Sequence, residues 1–260
     1  MIITLSPSKG LDFETPTPSS IHTIPDQLED SQLLVNEAKK LDIKASCELM
    51  DVSENISILN VQRFKQWNIP FTTDNAKAAL FAFKGAAYSA IEKEKYDESD
   101  LAYAQDHLRI LSGLYGILRP MDLIQPYRLE MKTRLENPRG DNLYLFWGDR
   151  ITQKLNEILE EQTEQVLVNL ASNEYFKSVN PKLLNGRLLN ITFKESKEGQ
   201  TRVIAIFAKR ARGMMTDFIL RNRLEHAEDM KDFGTAGYKY SAKESTEDNW
   251  VFTRPQTDKK

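Results

Sequence analysis

The apolar residues of this 260-residue chain follow two spacings that alternate along its length. Short apolar runs, as at 2–5 and 165–171, indicate strands, whereas apolar residues three and four positions apart, as over 151–159, indicate a helix. A predicted strand at 142–147, the helix at 151–159 and the strand at 165–171 form a β-α-β succession. This alternation restricts the chain to a mixed α/β fold.

The remaining segments fit one α+β domain over residues 1–260, with a mixed central sheet and a helical lobe at about 44–135. Further helices are predicted at 34–41, 44–50, 53–67, 74–88, 98–107 and 213–229, and an extended connection at 10–26. Further strands are predicted at 188–193, 202–208 and 249–254, the first two joined as a hairpin through 195–200. Residues 108–131 mix apolar residues with glycine, proline and arginine, which predicts several tight turns.

The predicted helix at 53–67 carries an arginine on its apolar stripe. Ser53 is its predicted N-cap, and the stripe consists of Val52, Ile56, Leu59, Arg63 and Trp67. Arg63 either packs its aliphatic stem while its charged end reaches water, or it serves a binding site.

Composition limits the classes of protein that the chain can belong to. A formal net charge of −3, with 40% hydrophobic and 28% charged residues, excludes a disordered chain, a fibre and a wholly basic histone-like binder. Cys47 is the single cysteine, so no disulfide forms within the chain. The first residues lack a signal-peptide pattern, and no apolar run reaches the ~18 residues of a membrane span. We therefore expect a cytoplasmic protein with no membrane partner.

Positive charge is concentrated in two segments. Residues 202–223, the 202–223 tract, hold six basic residues and one acid, and residues 108–134, the 108–134 tract, hold five basic residues and two acids. Such tracts are typical of sites for phosphates or nucleic acid, although solvated surfaces carry them too.

The position of the basic residues in the 202–223 tract favours a binding site. Lys209, Arg210 and Arg212 are predicted to lie where a strand ends and a helix begins. The first turn of a helix has unpaired N–H groups and the positive end of the dipole. Three cations there cost stability unless an anion binds or they point away, and such a local conflict is expected at functional sites.

Two other predicted strands end in polar residues. Lys9 follows the first strand, and Ser172, Asn173 and Glu174 follow the strand at 165–171. Simple capping of a helix by Ser172 is the structural alternative. If the three strands are parallel neighbours, their ends converge on one cleft that holds Lys9, Ser172, Glu174, Lys209, Arg210 and Arg212.

Other chemistry has little support in the sequence. The histidines and Cys47 are scattered without metal-ligand spacing, so we expect neither a metal site nor a cofactor. The glycines at 113–116 lack the pattern of a nucleotide-binding loop, and no elbow motif indicates a Ser–His–Asp triad. Lys9 or Glu174 could act as acid or base in a closed cleft.

Five segments resemble the YaaA family of bacterial peroxide-stress proteins. They are LSPSK at 5–9, SGLYGILRP at 112–120, QPYRLEM at 125–131, LASNEY at 170–175 and AKRARG at 208–213. The resemblance continues to 250–254 and so covers nearly the whole chain; Ser8 stands where the family often has alanine.

The resemblance implies a cytoplasmic protein that limits unincorporated iron under hydrogen peroxide and so protects DNA from oxidative damage. It also implies an unusual α/β fold with a positively charged cleft, a helix-hairpin-helix element and binding to duplex or locally opened DNA. Two positions fit that element: residues 44–67 have two helical patterns, and residues 108–124 have the glycines.

Two functional hypotheses follow. In the first, the protein binds DNA with little sequence specificity, and Tyr115 or Tyr127 stacks on unpaired bases. Its phosphate contacts are assigned to Lys9, Arg63, Arg119, Arg128, Lys209, Arg210 and Arg212. The alternative is an enzyme that acts on a phosphate-bearing substrate through Ser172, Asn173, Glu174 and Lys9. A third possibility is a structural Glu174 paired with Arg212.

Overall fold

The first strand, β1 (Ile2–Leu5), lies at the centre of a sheet in the computed structural model, which describes residues 1–256. It pairs in parallel with β5 (Leu108–Ser112) on one side and with β8 (Val166–Leu170) on the other. All four residues of β1 are buried, as expected for a parallel strand that is covered on both faces. Because β1 and β8 run in the same direction, the segments that follow them emerge at the same edge of the sheet.

The central sheet is mixed. Beyond β8, the strands β9 (Arg187–Lys197) and β12 (Asn249–Pro255) continue the parallel pairing. Antiparallel partners are β6 (Gly116–Leu118) on β5, β11 (Lys239–Tyr240) on β12 and β10 (Gln200–Arg202) on β9. The strand order is β11-β12-β9-β8-β1-β5-β6. The predicted mixed α/β fold with a mixed central sheet is confirmed.

Two short ribbons and a set of helices surround the sheet. The ribbons pair β2 (Gly10–Leu11) with β4 (Phe83–Lys84), and β3 (Lys77–Ala78) with β7 (Leu123–Ile124). The α-helices are α1 (Leu28–Ala38), α2 (Ile43–Met50), α3 (Glu54–Gln66), α4 (Ala79–Ala82), α5 (Glu98–His107), α6 (Leu143–Trp147), α7 (Arg150–Glu160), α8 (Asn173–Phe176) and α9 (Ala205–Asn222). Short 3-10 segments lie at Tyr88–Ala90, Lys93–Lys95, Pro181–Leu183, Ala227–Asp232 and Thr235–Gly237.

The predicted strand at 142–147 is wrong, because this segment forms α6. The Asn142 side chain accepts a hydrogen bond from the Leu145 N–H at 2.9 Å, which is N-capping, and Gly148 ends the helix with a φ of 48°. A short apolar run fits a buried helix as well as a strand, and here the N-cap at Asn142 favours the helix.

The predicted strand at 202–208 and the predicted helix at 213–229 are also wrong in their bounds. The hairpin exists, but its second strand β10 ends at Arg202, and α9 begins at Ala205. The helix ends at Asn222 and is followed by Arg223, which adopts a left-handed conformation with a φ of 50°. Residues 208–213 therefore lie inside a helix, beyond its first turn.

The predicted helix at 74–88 is wrong for most of its length, since the chain there alternates between β3, α4 and β4. On α3 the predicted apolar stripe is also wrong, because Ile56 and Leu59 are exposed. The buried face carries Ser57, Asn60, Val61 and Phe64 instead. Ser53 takes the N-cap position, but its hydroxyl makes no capping hydrogen bond.

The two predicted positions for a helix-hairpin-helix element differ in the structure. Residues 108–124 form β5, β6 and β7, so that position is wrong. The helices α2 and α3 follow one another through residues 51–53, where Asp51 has a φ of 49°. The helix-hairpin-helix identity of this pair stays a prediction. Within residues 1–256, no helix has both the length and the apolar character needed to cross a bilayer.

Candidate functional site

A cavity of about 630 Å³ opens at the sheet edge where β1 and β8 end. We call it the strand-end cavity. This edge is where open α/β sheets bind their ligands, because loops diverge there and leave a crevice. Its walls come from residues 5–9 after β1, residues 170–175 at the end of β8, the turn at 86–88, Glu130, and the α9 side chains Ile206, Lys209 and Arg212.

Two serine hydroxyls join the loops at the bottom of the cavity. The Ser6 Oγ accepts from the Ser172 N–H at 2.8 Å and donates to the Ser172 Oγ at 3.2 Å. The Tyr88 hydroxyl donates to the Ser6 carbonyl oxygen at 3.0 Å. Ser172 stands at the N-cap of α8, but its side chain caps nothing, so the simple capping role is wrong. Its hydroxyl belongs to the cavity.

Lys9 and Glu130 form an ion pair across the cavity wall. Their Nζ and Oε2 atoms are 2.9 Å apart, and the Glu130 carboxylate also contacts Arg128 at 3.2 Å and Lys132 at 3.8 Å. Burial alone would raise the pKa of Glu130, but the hydrogen bond from Lys9 and the three nearby cations outweigh it and hold the pKa below its ordinary value. The closest of these contacts compensates the charge of Lys9, but one carboxylate cannot neutralise all three cations.

Glu174 lacks such a partner. Its Oε1 accepts a long hydrogen bond of 3.4 Å from the Lys132 N–H, and no ion pair to it occurs among residues 1–256. The predicted alternative of a structural pair with Arg212 is therefore wrong. The Tyr144 hydroxyl donates to the Glu174 carbonyl at 2.9 Å and fixes the backbone there. The carboxylate remains available to a ligand that can donate hydrogen bonds.

Helix α9 presents one flank to the cavity. Ile206, Lys209 and Arg212 are three residues apart and so share that flank. Gly213 lies beside it, where a Cβ atom would stand 1.9 Å from the Ala87 carbonyl oxygen. Only glycine lets the helix backbone approach the turn this closely. The contact fixes how far Lys209 and Arg212 lie from the strand ends.

Arg210 lies on a different flank of α9. It lines a second cavity of about 410 Å³, whose charged residues also include Glu92, Asp217 and Arg221. Lys9, Ser172, Glu174, Lys209 and Arg212 thus line one cavity as expected, whereas Arg210 does not. The expected third parallel strand is absent, because helix α9 brings Lys209 and Arg212 to the cavity. The binding role of these residues stays a prediction.

Arg212 is a half-buried cation that nothing nearby neutralises. Its Nε atom is buried without a hydrogen-bond partner, and no carboxylate in the described part of the chain pairs with the guanidinium. Burial lowers the pKa of Arg212. Buried charges are normally paired because desolvation is costly, so the guanidinium is chemically suited to contact an anion.

The 108–134 tract is arranged differently, because three of its four arginines have partners and the fourth, Arg134, is exposed and does not line the strand-end cavity. Arg119 contacts Asp26 at 3.1 Å and Asp122 at 3.0 Å, and Arg128 contacts Glu130. Arg109 is buried and donates to two backbone carbonyls, and burial lowers its pKa to about 10. Neither Arg119 nor Arg128 lines the strand-end cavity.

Three further predicted contacts lie away from the cavity. Arg63 is half-buried on α3, where burial lowers its pKa. Tyr115 and Tyr127 are buried, with their hydroxyls bonded to the Trp67 Nε1–H at 3.1 Å and the Ser112 Oγ at 2.7 Å. The prediction that either tyrosine stacks on unpaired bases is therefore wrong.

Several members of the cavity were not predicted from the sequence, among them Glu130 and Tyr88. Glu130 appeared only as one of two acids in the 108–134 tract, and Tyr88 fell at the end of a wrongly predicted helix. A signal was present, because Glu130 belongs to the QPYRLEM segment that carries the family resemblance. Within residues 1–256, no group of three or more His, Cys, Asp or Glu side chains is placed to hold a metal ion.

Comparison with known proteins gives one consistent result. The family model described as "Peroxide stress protein YaaA" matches residues 1–244. A UPF0246 protein of Cellvibrio japonicus (strain Ueda107) is 50% identical over 256 residues, which cover 98% of this chain and 99% of the relative. UPF0246 proteins of Aliivibrio fischeri strains MJ11 and ATCC 700601 / ES114 are 50% and 49% identical to this chain over 259 residues, which cover 100% of this chain and 100% of each relative. The resemblance in the five segments thus extends over the whole chain, which belongs to the YaaA family of peroxide stress proteins.

Proposed function

We propose that this protein acts in the peroxide stress response by binding DNA at the strand-end cavity. The observation that carries the proposal is the unneutralised pair Lys209 and Arg212 on one flank of α9. Cations that face a concave surface without acid partners are suited to phosphates, which supply most of the affinity in sequence-independent DNA binding.

The contacts divide five of the seven predicted DNA-binding residues into those without and those with an acid partner, and the other two, Arg63 and Arg210, lie away from the strand-end cavity. Lys209 and Arg212 are assigned to phosphates, whereas Lys9 is held by Glu130 at 2.9 Å and is assigned to the cavity wall. Arg119 and Arg128 are assigned to the fold, because acids already pair with them. The expected ligand is locally opened DNA, since a loop of single strand can follow a concave wall that a stiff duplex cannot.

A matched pair of variants tests this site. Lys209 and Arg210 are adjacent, exposed and equally charged, but only Lys209 lines the strand-end cavity. We expect Lys209→Glu to weaken binding to a bubble-containing duplex by about tenfold and to lower the log–log salt slope by about 1. Arg210→Glu should have a much smaller effect. Fluorescence anisotropy at several salt concentrations measures both, and equal losses in the two variants would refute the site.

The cellular part of the proposal is that the protein lowers unincorporated iron and thereby protects DNA. A strain that lacks the protein, complemented with the wild type or with Lys209→Glu, tests it through chelatable iron and DNA lesions after hydrogen peroxide. If the variant restores both as well as the wild type does, protection does not depend on the cavity.

A second candidate function is an enzyme that acts on a phosphate-bearing substrate. The unpaired Glu174 carboxylate and the Ser172 hydroxyl favour it, since a passive phosphate clamp needs neither. Lys9 and Asn173 complete the candidate set. Glu174→Gln separates the two functions: a binder should hold DNA at least as tightly after losing a negative charge, whereas an enzyme should lose turnover of a nucleotide or oligonucleotide followed by chromatography.

A further inference from the structure

We infer that the strand-end cavity binds one nucleoside phosphate unit, with the phosphate at Lys209 and Arg212 and the hydrogen-bond donors of the sugar or base at Glu174. The inference rests on the proposed use of this cavity for DNA, but it extends to a free mononucleotide. The same chemistry is present in a free nucleotide and in an unpaired nucleotide of a strand.

The size and lining of the cavity fit a ligand of this class. A volume of about 630 Å³ lies within the range of small-molecule sites, about 300–1,000 Å³. Much of its wall is apolar, and Leu5, Pro7, Leu170 and Ile206 contribute to it. Inorganic phosphate would leave this apolar wall in contact with water, whereas a nucleobase would cover it.

The charges in the cavity are unpaired on both sides. Arg212 has no acid partner and Glu174 has no basic partner among residues 1–256, so the two do not neutralise each other. A ligand that is only anionic would be repelled by Glu174, and a neutral nucleoside would leave Arg212 unpaired. A nucleoside phosphate satisfies both groups, because it has an anionic end and hydrogen-bond donors some distance away.

The other charged residues of the cavity define the orientation. Lys9 is held by Glu130 at 2.9 Å, so its charge is already compensated. The phosphate is therefore expected at the α9 flank, and the sugar and base toward Glu174 and the apolar end. Asn173 and the Ser6–Ser172 hydroxyl pair supply further polar groups along the wall.

Isothermal titration calorimetry with three probes tests the inference on the full-length protein. Deoxyadenosine monophosphate should bind at least about tenfold more tightly than deoxyadenosine and than inorganic phosphate, because only the nucleotide contacts both ends of the cavity. If phosphate binds as tightly as the nucleotide, or if the nucleotide does not bind, the inference is wrong.

Substitutions at the two ends locate the ligand. Arg212→Gln should weaken nucleotide binding by about ten- to a hundredfold, the range for a hydrogen bond to a charged group, and leave deoxyadenosine binding unchanged. Arg210→Gln is the matched control and should change neither. If Arg212→Gln does not fold, as judged by thermal unfolding, the exposed Lys209→Gln replaces it. Equal nucleotide binding in all variants would overturn the assignment.

Glu174→Gln gives an independent signature. Removal of the negative charge should strengthen inorganic phosphate binding, while loss of the stronger acceptor should reduce the preference for nucleotide over phosphate. A purely structural role for Glu174 would leave that preference unchanged, and this result would contradict the inference.

Competition with DNA distinguishes the inference from the proposed function. Deoxyadenosine monophosphate should displace bubble-containing duplex from the protein. Binding of DNA without any binding or competition by the nucleotide would overturn the inference and leave DNA binding intact. Binding of the nucleotide without DNA binding would overturn the proposed function and support the inference.

Discussion

In the 108–134 tract, Arg119 lies between Asp26 and Asp122, and Arg128 contacts Glu130. In the 202–223 tract, Lys209 and Arg212 face the strand-end cavity without an acid partner in the described chain. Both tracts have an excess of positive charge along the sequence, five in the 202–223 tract and three in the 108–134 tract. Acids partner cations in both tracts, since Arg221 pairs with Glu92 at 2.6 Å and Arg223 with Asp100 at 2.9 Å. The difference is that the fold leaves without an acid the two cations of the 202–223 tract that face the strand-end cavity, Lys209 and Arg212.

This contrast separates a cation that holds the fold together from one that is available to a ligand. An arginine with a buried carboxylate partner contributes to stability, and its loss should leave ligand binding unchanged. A half-buried arginine without a partner contributes little to stability, because its desolvation is not compensated until an anion binds. Substitutions in the two tracts should therefore differ both in the size of their effect and in the property that they change.

Asp122→Ala should have the largest effect on the stability of the fold. Asp122 is 1% exposed and accepts hydrogen bonds from the Thr23 hydroxyl at 2.6 Å, the Arg119 N–H at 2.8 Å and the Arg119 Nε at 3.1 Å. Its removal leaves Arg119 without its buried partner, and we expect the free energy of unfolding to fall by about 3 kcal/mol. Denaturant titration measures the loss, and DNA affinity at a temperature where the variant is folded should not change.

The second acid beside Arg119 provides the control. Asp26 is exposed, and exposed ion pairs contribute little, so Asp26→Ala should cost less than about 1 kcal/mol. If both variants lose equal stability, burial does not decide the strength of these pairs. If Asp122→Ala weakens DNA binding in its folded state, the 108–134 tract belongs to the binding surface.

An intermediate loss of stability is expected for a substitution at Gly213, where the 202–223 tract meets the turn at 86–88. A Cβ atom at Gly213 would lie 1.9 Å from the Ala87 carbonyl oxygen, so Gly213→Ala forces α9 away from the turn. We expect a net loss of about 2 kcal/mol in unfolding free energy, because overpacking outweighs the helix preference of alanine. Nucleotide and DNA affinity should fall as well, since Lys209 and Arg212 move with the helix.

A second glycine substitution controls for the general effect of adding a methyl group. Gly234 has a φ of −126°, and a Cβ atom there would lie 3.9 Å from its nearest neighbour, the Asp232 carbonyl oxygen. Gly234→Ala should therefore leave both stability and binding nearly unchanged. A neutral result for Gly213→Ala as well would mean that α9 can shift without cost.

The strand ends could be predicted from the sequence because they depend on local patterns. Buried apolar runs mark β1 and β8, and two parallel neighbours must place their following residues at one edge of the sheet. Lys9, Ser172 and Glu174 follow from that argument. The prediction succeeded where residue order along the chain determines position in the fold.

The remaining features depend on contacts that the sequence does not reveal. The apolar run at 203–208 fits a strand or a helix, and only the helical form separates Arg210 from Lys209 and Arg212. The partners of Arg119 illustrate the same limit, because Asp26 is far away along the chain. Charge counting within a segment cannot detect such an acid, and it therefore overestimated the unpaired positive charge of both tracts, since Arg221 and Arg223 also pair with distant acids.

The smallest effect concerns two carboxyl groups, one in each tract, whose pKa values shift in opposite directions. The pKa of Glu130 is lowered because Lys9, Arg128 and Lys132 outweigh its burial, so its stabilising contribution is fully present above the ordinary pKa of 4.5 and is lost as the pH falls through the lower folded value. The pKa of Asp217 is raised by burial, so its contribution is present below the ordinary value of 3.8 and is lost as the pH rises through the folded value. As the pH falls, the wild type should therefore lose unfolding free energy relative to Glu130→Gln. Relative to Asp217→Asn, the wild type should gain unfolding free energy over the same range. Denaturant titrations from about pH 7 down to about pH 3 measure both, and parallel pH profiles for the two variants would contradict the assigned environments.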